Sequence, residues 1–321
     1  MSQRPPFVAE GVIPAALLPF KPNYEIDFDD YRSHLRDLAK VKGVTAICIN
    51  GHAAQIPTLT DEEQRLLVEH TVDEVGKDVA VVVGVYAEGS AKAAGIAAMA
   101  EKCGASALLV FPPHFMYRGG SLRPEMALTH HKMIAEASKL PMVLFQYNHA
   151  SGLMYPDETL RRLCVEIPSV VAIKDGCGDP VRHEHNIRQL RALDRPVNVL
   201  TTHSAWLLSS LVLGCTGLLS GAGSTIADLQ AAILAAVKTN DLQRARELSD
   251  RLYPMTRVYY AAQPLLDMHN RMKEVLAYLG RIKCAVVRPP ECKIPEDELA
   301  RITAAVDSVG LKKDGFTNLQ Y

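Results

Sequence analysis

The stretch SVVAIKDG, Ser169–Gly176, sets Val170, Val171, Ala172 and Ile173 directly before a lysine, Lys174. A short unbroken apolar run rich in β-branched residues reads as a strand buried on both faces, as in a parallel sheet. A charged amine at the end of such a strand is costly to desolvate, so its position calls for a reason. Seven more runs of the same kind occur: GVIPAALLPF, GVTAICIN, VAVVVGVYA, GASALLVFPP, LPMVLFQYN, VNVLTTH and GCTGLLSGAG. Their starts fall roughly 20 to 36 residues apart, the pitch of repeated strand–helix units.

Amphipathic stretches fill the intervals. DFDDYRSHLRDLAK places Phe28, Tyr31, Leu35 and Leu38 at helical spacing, and TDEEQRLLVEH opens with a capping box from Thr60 to Glu63. Gly43, Gly104 and Gly214 stand where a helix should stop before the next strand. Eight such units point to an α/β fold, a closed (β/α)8 TIM barrel over roughly residues 11–240. A doubly wound open sheet is the alternative, but no dinucleotide fingerprint is present. After residue 240 the strand pattern ends. A helical segment broken at Pro254 and Pro264 follows, then a last helix from near Pro295 that stops before Gly310. The expected organisation is a barrel over 1–240 with a C-terminal helical extension over 241–321 packed on it. No low-complexity linker divides them, so one continuous fold unit is expected.

The composition is that of a soluble globular chain, with 48% hydrophobic and 22% charged residues and a net charge of −1. That balance offers no basic field for nucleic acid or an acidic membrane surface. The seven cysteines are an odd count without a CxxC pair, which fits a reducing, cytoplasmic setting. The N-terminal MSQRPPFVAEG lacks the apolar core of a signal peptide. No run approaches the roughly 18 apolar residues needed to span a bilayer.

In a barrel, chemistry gathers at the C-terminal ends of the strands, where side chains meet the open mouth. Lys174 ends the sixth run, and desolvation there lowers an amine's pKa, which makes it a nucleophile toward carbonyl carbon. The plainer reading is a lysine paired with its neighbour Asp175 or snorkelling to water. Tyr147 ends the fifth run, on the adjacent strand. A phenol there could shuttle a proton to and from a substrate oxygen, or could simply cap the core.

With both residues placed, the chain resembles the dihydrodipicolinate synthase/N-acetylneuraminate lyase family of Schiff-base-forming barrel aldolases. The likeness runs from GVIPAALLPF to the helical C-terminus. It is carried by GVTAICINGHAAQIPTLTDEEQ, FQYN, VVAIKDGCGD and VLTTHSAWLLSSLVLGCTGLLSGAGS. The resemblance implies a lysine, Lys174, that forms an imine with a 2-oxo acid, and a proton-shuttling tyrosine, Tyr147. It implies that Gly51, His52 and Ala53 line the carboxylate end of the oxo acid, and that Gly221 brings the eighth strand's backbone close to it. The implied activity is a class I lyase, by aldol or retro-aldol cleavage releasing pyruvate or by dehydration, with no cofactor. The partner is a small-molecule 2-oxo acid, and the assembly a dimer or tetramer.

The departures from the family pattern bear on substrate. His52 and Ala53 stand where the synthase has two threonines, one of them a proton relay, and Gln55 replaces the motif's glutamate. FPPHFMY has His114 and Phe115 where the synthase has a tyrosine lent to the neighbouring subunit. YNHASGLMY lacks the arginine that grips a second carboxylate. Condensation of pyruvate with aspartate semialdehyde, the synthase reaction, is the alternative reading, and a barrel that binds a 2-oxo acid without turnover is the third. His52 and His149 are candidate acid–bases or contacts to the distal end of the substrate. SGAGSTI, Ser220–Ile226, reads as close backbone approach to the oxo acid rather than a phosphate site. The histidine pairs at 130–131 and 183–185 lack ligand spacing on one helix face, so no metal site is expected. Trp206 reads as core or interface, and no base stands beside Cys177 in the sequence to activate it.

Overall fold

The computed structural model describes residues 5–316 and residue 319; the N-terminal reading falls partly on residues 1–4, outside that range. All eight expected strands form: β1 Gly11–Pro14, β2 Ala46–Ile49, β3 Ala80–Val85, β4 Ala107–Val110, β5 Met142–Gln146, β6 Val170–Asp175, β7 Asn198–Thr201 and β8 Gly217–Ser220. Each pairs in parallel with its neighbour from β2 through β8, and β8 pairs with β1. Parallel bridges Val12–Val44 and Ala15–Cys48 join β1 to the β2 segment, so the sheet closes into a TIM barrel. Every strand residue is buried except Val171 and Asn198, which are half-buried. That is why the strands read as continuous apolar runs rather than alternating ones.

The helices between the strands are α1 Phe28–Ala39, α2 Asp61–Val75, α3 Ser90–Lys102, α4 Pro124–Ala137, α5 Asp157–Glu166, α6 Pro180–Arg191, α7 Leu207–Val212 and α8 Gly223–Lys238. The capping box is present: Thr60 Oγ1 accepts from the Glu63 N–H at 3.1 Å, and Glu63 Oε2 accepts from the Thr60 N–H at 2.9 Å. Gly43, Gly104 and Gly214 hold φ of 96°, 90° and 109°, the left-handed turn that frees the chain from one helix into the next strand. Gly84 has a different task. A Cβ there would lie 1.9 Å from the carbonyl oxygen of Asn50, so only glycine lets β3 lie against the end of β2.

The C-terminal extension comprises α9 Leu242–Tyr260, α10 Met268–Tyr278 and α11 Glu296–Val309. Two expectations fail here. Pro254 lies inside α9 without ending it. Its buried neighbours Leu248, Leu252, Met255 and Tyr259 anchor the helix on both sides of the missing N–H. Strands also do not stop at 240: β9 Leu311–Lys312 and β10 Gly315–Phe316 form a small antiparallel pair. Two residues per strand carry no periodicity that a sequence could show. Arg271 of α10, fully buried, donates to Glu298 Oε1 of α11 at 2.5 Å, to the Tyr259 carbonyl at 3.1 Å and to the Pro264 carbonyl at 3.0 Å. It ties the three helices together. One hydrophobic cluster runs from Ala9 to Phe316 through barrel and extension. Among the described residues no helix is long and apolar enough to cross a membrane.

Candidate active site

Alternation along β6 decides the fate of its last two residues, because successive side chains take opposite faces. Asp175 points outward to α6. Its Oδ2 accepts from His183 Nδ1 and Asn186 Nδ2, each at 2.9 Å, and its Oδ1 accepts from the Cys177 N–H at 2.9 Å. The carboxylate is thus fully engaged away from the lysine, and the reading of Lys174 as an Asp175 ion pair is corrected. Lys174 points inward, 8% exposed, with Nζ 4.1 Å from the centroid of the Phe145 ring. Burial pushes its pKa down to about 8, with the nearby Cys48 acting in the opposite direction. Among the described residues Nζ has no hydrogen bond and no ion pair. The result is an amine that gives up its proton far more readily than an exposed lysine, set against an aromatic face and free to react.

Tyr147 sits one residue past β5. Its hydroxyl lies 2.5 Å from His52 Nε2. Burial holds the His52 imidazole at a pKa of about 3, with the charges of Lys174, His269 and His114 acting in the same direction. Burial also raises the Tyr147 phenol. Both groups are therefore neutral, and the phenol O–H donates to Nε2, which leaves the His52 proton on Nδ1. An imidazole stands where the family pattern has a hydroxyl.

His52 belongs to a short 3₁₀ turn, His52–Ala54, entered through Gly51. Among the described residues no acceptor takes the N–H groups of His52 and Ala53. Gln55, in the left-handed region at φ 53°, ends the turn and reaches the extension: its Oε1 accepts from Lys273 Nζ at 3.2 Å and from the Arg288 N–H at 3.3 Å. Aromatic rings complete the wall. His52 packs edge-on against Phe111 at 4.8 Å, Phe111 against Phe145 at 5.5 Å, and Phe145 against Tyr147 at 4.3 Å. Tyr86 hydrogen-bonds His114 Nδ1 at 3.3 Å farther out.

Of the residues singled out from sequence, the structure brings Lys174, Tyr147, His52 and the Gly51–Ala53 turn together. Gly221 follows β8, but its Cα face is covered by the ring of His269, from α10. His149 is exposed on the turn His149–Ser151 and makes no hydrogen bond or ring contact with Lys174, Tyr147 or His52 among the described residues. Phe145 went unnoticed, although its i, i+2 relation to Tyr147 put both on one face. His269 had no signal in its own segment.

The structure also gathers Asp175, Cys177, His183 and His203, whose ligand atoms lie within 4.8 Å of one another. Residues of these types can ligate zinc. The spacing on one helix did not show it because the four come from β6, its following loop, α6 and the end of β7. Their polar atoms are already engaged: His183 bridges Asp175 and Ser210, the latter at 2.6 Å, and Cys177 Sγ lies 3.9 Å from His203 Nε2. His203 stacks on Trp206 at 4.2 Å. As it stands, the cluster is held by hydrogen bonds.

Fold and site define a (β/α)8 barrel whose mouth presents a desolvated amine beside a phenol–imidazole pair. The chain belongs to the dihydrodipicolinate synthetase family, whose model matches residues 8–309. Members of that family are Schiff-base lyases acting on pyruvate. Curated relatives named 4-hydroxy-tetrahydrodipicolinate synthase include that of Maridesulfovibrio salexigens, 26% identical over 94% of this chain and 99% of its own. That of Kineococcus radiotolerans is 29% identical over 94% and 93%. The dihydrodipicolinate synthase of Thermotoga maritima superposes with a TM-score of 0.86 at 23% identity, covering 95% of this chain and 99% of that one.

Proposed function

We propose that the protein is a class I lyase that cleaves or dehydrates a 2-oxo acid through an imine on Lys174. The observation that carries this reading is the Lys174 amine: buried, unpaired, facing the cup, and within the same aromatic box as Tyr147. The neutral amine adds to the C2 carbonyl, the carbinolamine hydroxyl takes up a proton from solvent and leaves as water, and the resulting iminium withdraws electrons from C3. For retro-aldol cleavage, the C4 hydroxyl gives its proton toward the Tyr147–His52 pair as the C3–C4 bond breaks and an aldehyde departs. The remaining enamine takes a proton at C3, and hydrolysis of the imine releases pyruvate and regenerates the amine. The Tyr147–His52 bond supports such a relay, since a proton accepted by the phenol oxygen can be matched by one passed to His52 Nε2. The unoccupied N–H groups of His52 and Ala53, entered through Gly51, suit the oxo-acid carboxylate.

The test is incubation with pyruvate and borohydride, followed by intact mass and peptide mapping. A reduced adduct on Lys174 is expected; a chain that remains unmodified is instead a binder without imine chemistry. The names of the curated relatives favour a second reading, the synthase reaction. Against it stands YNHASGLMY, which supplies no guanidinium for the second carboxylate. A coupled assay with aspartate semialdehyde separates the two, and strong turnover there overturns the first. The exposed rings of Phe115 and Tyr117, at 61% and 52%, support a dimer or tetramer. The free cysteines support a cytoplasmic location.

A further inference from the structure

The outer face of β6, directly behind Lys174, carries a cluster that the imine chemistry does not use. Asp175 ends the strand, Cys177 follows in the next loop, His183 faces them from the first turn of α6, and His203 lies just past β7. None of the four is more than 9% exposed. One ligand atom from each lies within 4.8 Å of all the others. A tetrahedral zinc ion, with bonds of about 2.0 Å to nitrogen or oxygen and about 2.3 Å to sulfur, sets its ligand atoms roughly 3.3–3.5 Å apart. Two pairs already stand near that spacing: His183 Nδ1 and Asp175 Oδ2 at 2.9 Å, Cys177 Sγ and His203 Nε2 at 3.9 Å. The widest pair closes with a shift of under about 1 Å by each atom.

The hydrogen bonds around the cluster separate the atoms that point inward from those that hold them. His183 Nε2 is engaged by Ser210 Oγ at 2.6 Å, with Cys215 Sγ at 3.2 Å, which leaves Nδ1 toward the other three donors. With its proton on Nε2 and donated to Ser210, the ring offers the Nδ1 lone pair to a metal. Asp175 keeps Asn186 on Oδ2 and the Cys177 N–H on Oδ1. Trp206 stacks on His203 at 4.2 Å and meets His183 edge-on at 5.2 Å, so both ring planes are fixed. Charge points the same way. Among the described residues no lysine or arginine pairs with Asp175, although its carboxylate is fully buried. A divalent ion, that carboxylate and a Cys177 thiolate sum to zero, and the thiol proton goes to solvent as the metal enters.

We propose that Asp175, Cys177, His183 and His203 bind one zinc ion. Two imidazoles, a thiolate and a carboxylate are borderline-soft donors, which suit zinc better than calcium or magnesium. Four protein donors leave no open position, so the site is structural and does no chemistry on substrate. It clamps the end of β6, the loop after it, α6 and the end of β7, and so steadies the strand from which Lys174 points into the cup.

The experiment is metal analysis of the full chain, free of any polyhistidine tag, grown with added zinc and dialysed against metal-free buffer. About one zinc per chain is expected in the wild type, and under about a tenth of that in Cys177→Ser and in His203→Gln. Cys215→Ser, which alters the thiol on the far side of His183, should keep its zinc. Two readings need no variant. Chelation should lower the melting temperature of the wild type, and added zinc should restore it. Cobalt in place of zinc should show the intense visible bands of a tetrahedral ion and a near-ultraviolet thiolate band. Wild-type zinc far below one per chain overturns the proposal, as does zinc retained in both Cys177→Ser and His203→Gln. Zinc lost from Cys215→Ser but kept in Cys177→Ser overturns it too, and so does a wild-type cobalt spectrum without the thiolate band. None of these readouts depends on imine formation, so the proposal stands or falls apart from the lyase reading.

Discussion

In the proposed mechanism, the reactivity of Lys174 comes from what surrounds one nitrogen atom. Its pKa of about 8 means that the reactive free amine grows as pH rises through that value. The trapping rate with pyruvate should therefore climb between pH 6 and pH 8 and level off above it, measured as adduct formed per minute at fixed borohydride. The same shift makes a stability statement. A lysine whose folded pKa is depressed destabilises the fold while it is charged, so the penalty is fully present below about pH 8 and fades as pH rises toward the unfolded value near 10.5. Lys174→Met should abolish adduct formation and raise stability by something on the order of 1–3 kcal/mol at pH 7, with the gain vanishing by about pH 10.5. Urea unfolding at the two pH values checks the sign. Tyr147→Phe should leave imine formation possible but slower by roughly 10²–10⁴-fold. His52→Ala should slow it by less, because water can take the imidazole's place beside a phenol that is still present; rates equal to wild type in both would remove the pair from the mechanism. Lys174 and Tyr147 were legible in the sequence because each ends an apolar run, a local signature. The His52–Tyr147 bond was not, since residues 95 apart meet only once β2 and β5 are curved into one barrel.

At the level of elements, the fold follows from local rules wherever those rules act over a few residues. The β-rich runs, the Thr60 cap and the stop glycines each did what their chemistry dictates. Thr60→Ala should cost about 1 kcal/mol, read from a denaturant midpoint, since both halves of the capping box are made. Pro254 shows where a local rule yields. Its lost hydrogen bond is outweighed by the buried face of α9, an energy that only the packed helix supplies. The joint between α9, α10 and α11 depends on a buried charge, Arg271, which is met by Glu298 and two carbonyls. Glu298→Ala leaves that guanidinium short of its counter-charge, so it should destabilise by about 3–5 kcal/mol. A fall of less than 1 kcal/mol would show that the extension is held by its apolar contacts alone.

For the molecule as a whole, the barrel was readable and the extension's role was not. Eight strands at regular intervals announce a closed sheet, while helices after residue 240 carry no mark of what they face. His269 and Lys273 lie on one helix, four residues apart and so on one side of it, and neither can be placed at the mouth until the chain is folded. Sedimentation at micromolar concentration should show a dimer or tetramer, and Phe115→Asp with Tyr117→Asp should shift it toward a single chain if those rings are covered in the assembly.

Gln55 joins the barrel to the extension at the rim of the cup. It rises from the turn that carries His52 and clasps the α10 segment 218 residues away, so the rim of the cup is stitched from both ends of the gene. Drift in that distant helix can reshape which molecules gain entry while the nucleophile and its strand stay untouched. Exchanging the segment from 242 onward between relatives would transplant appetite without transplanting reactivity.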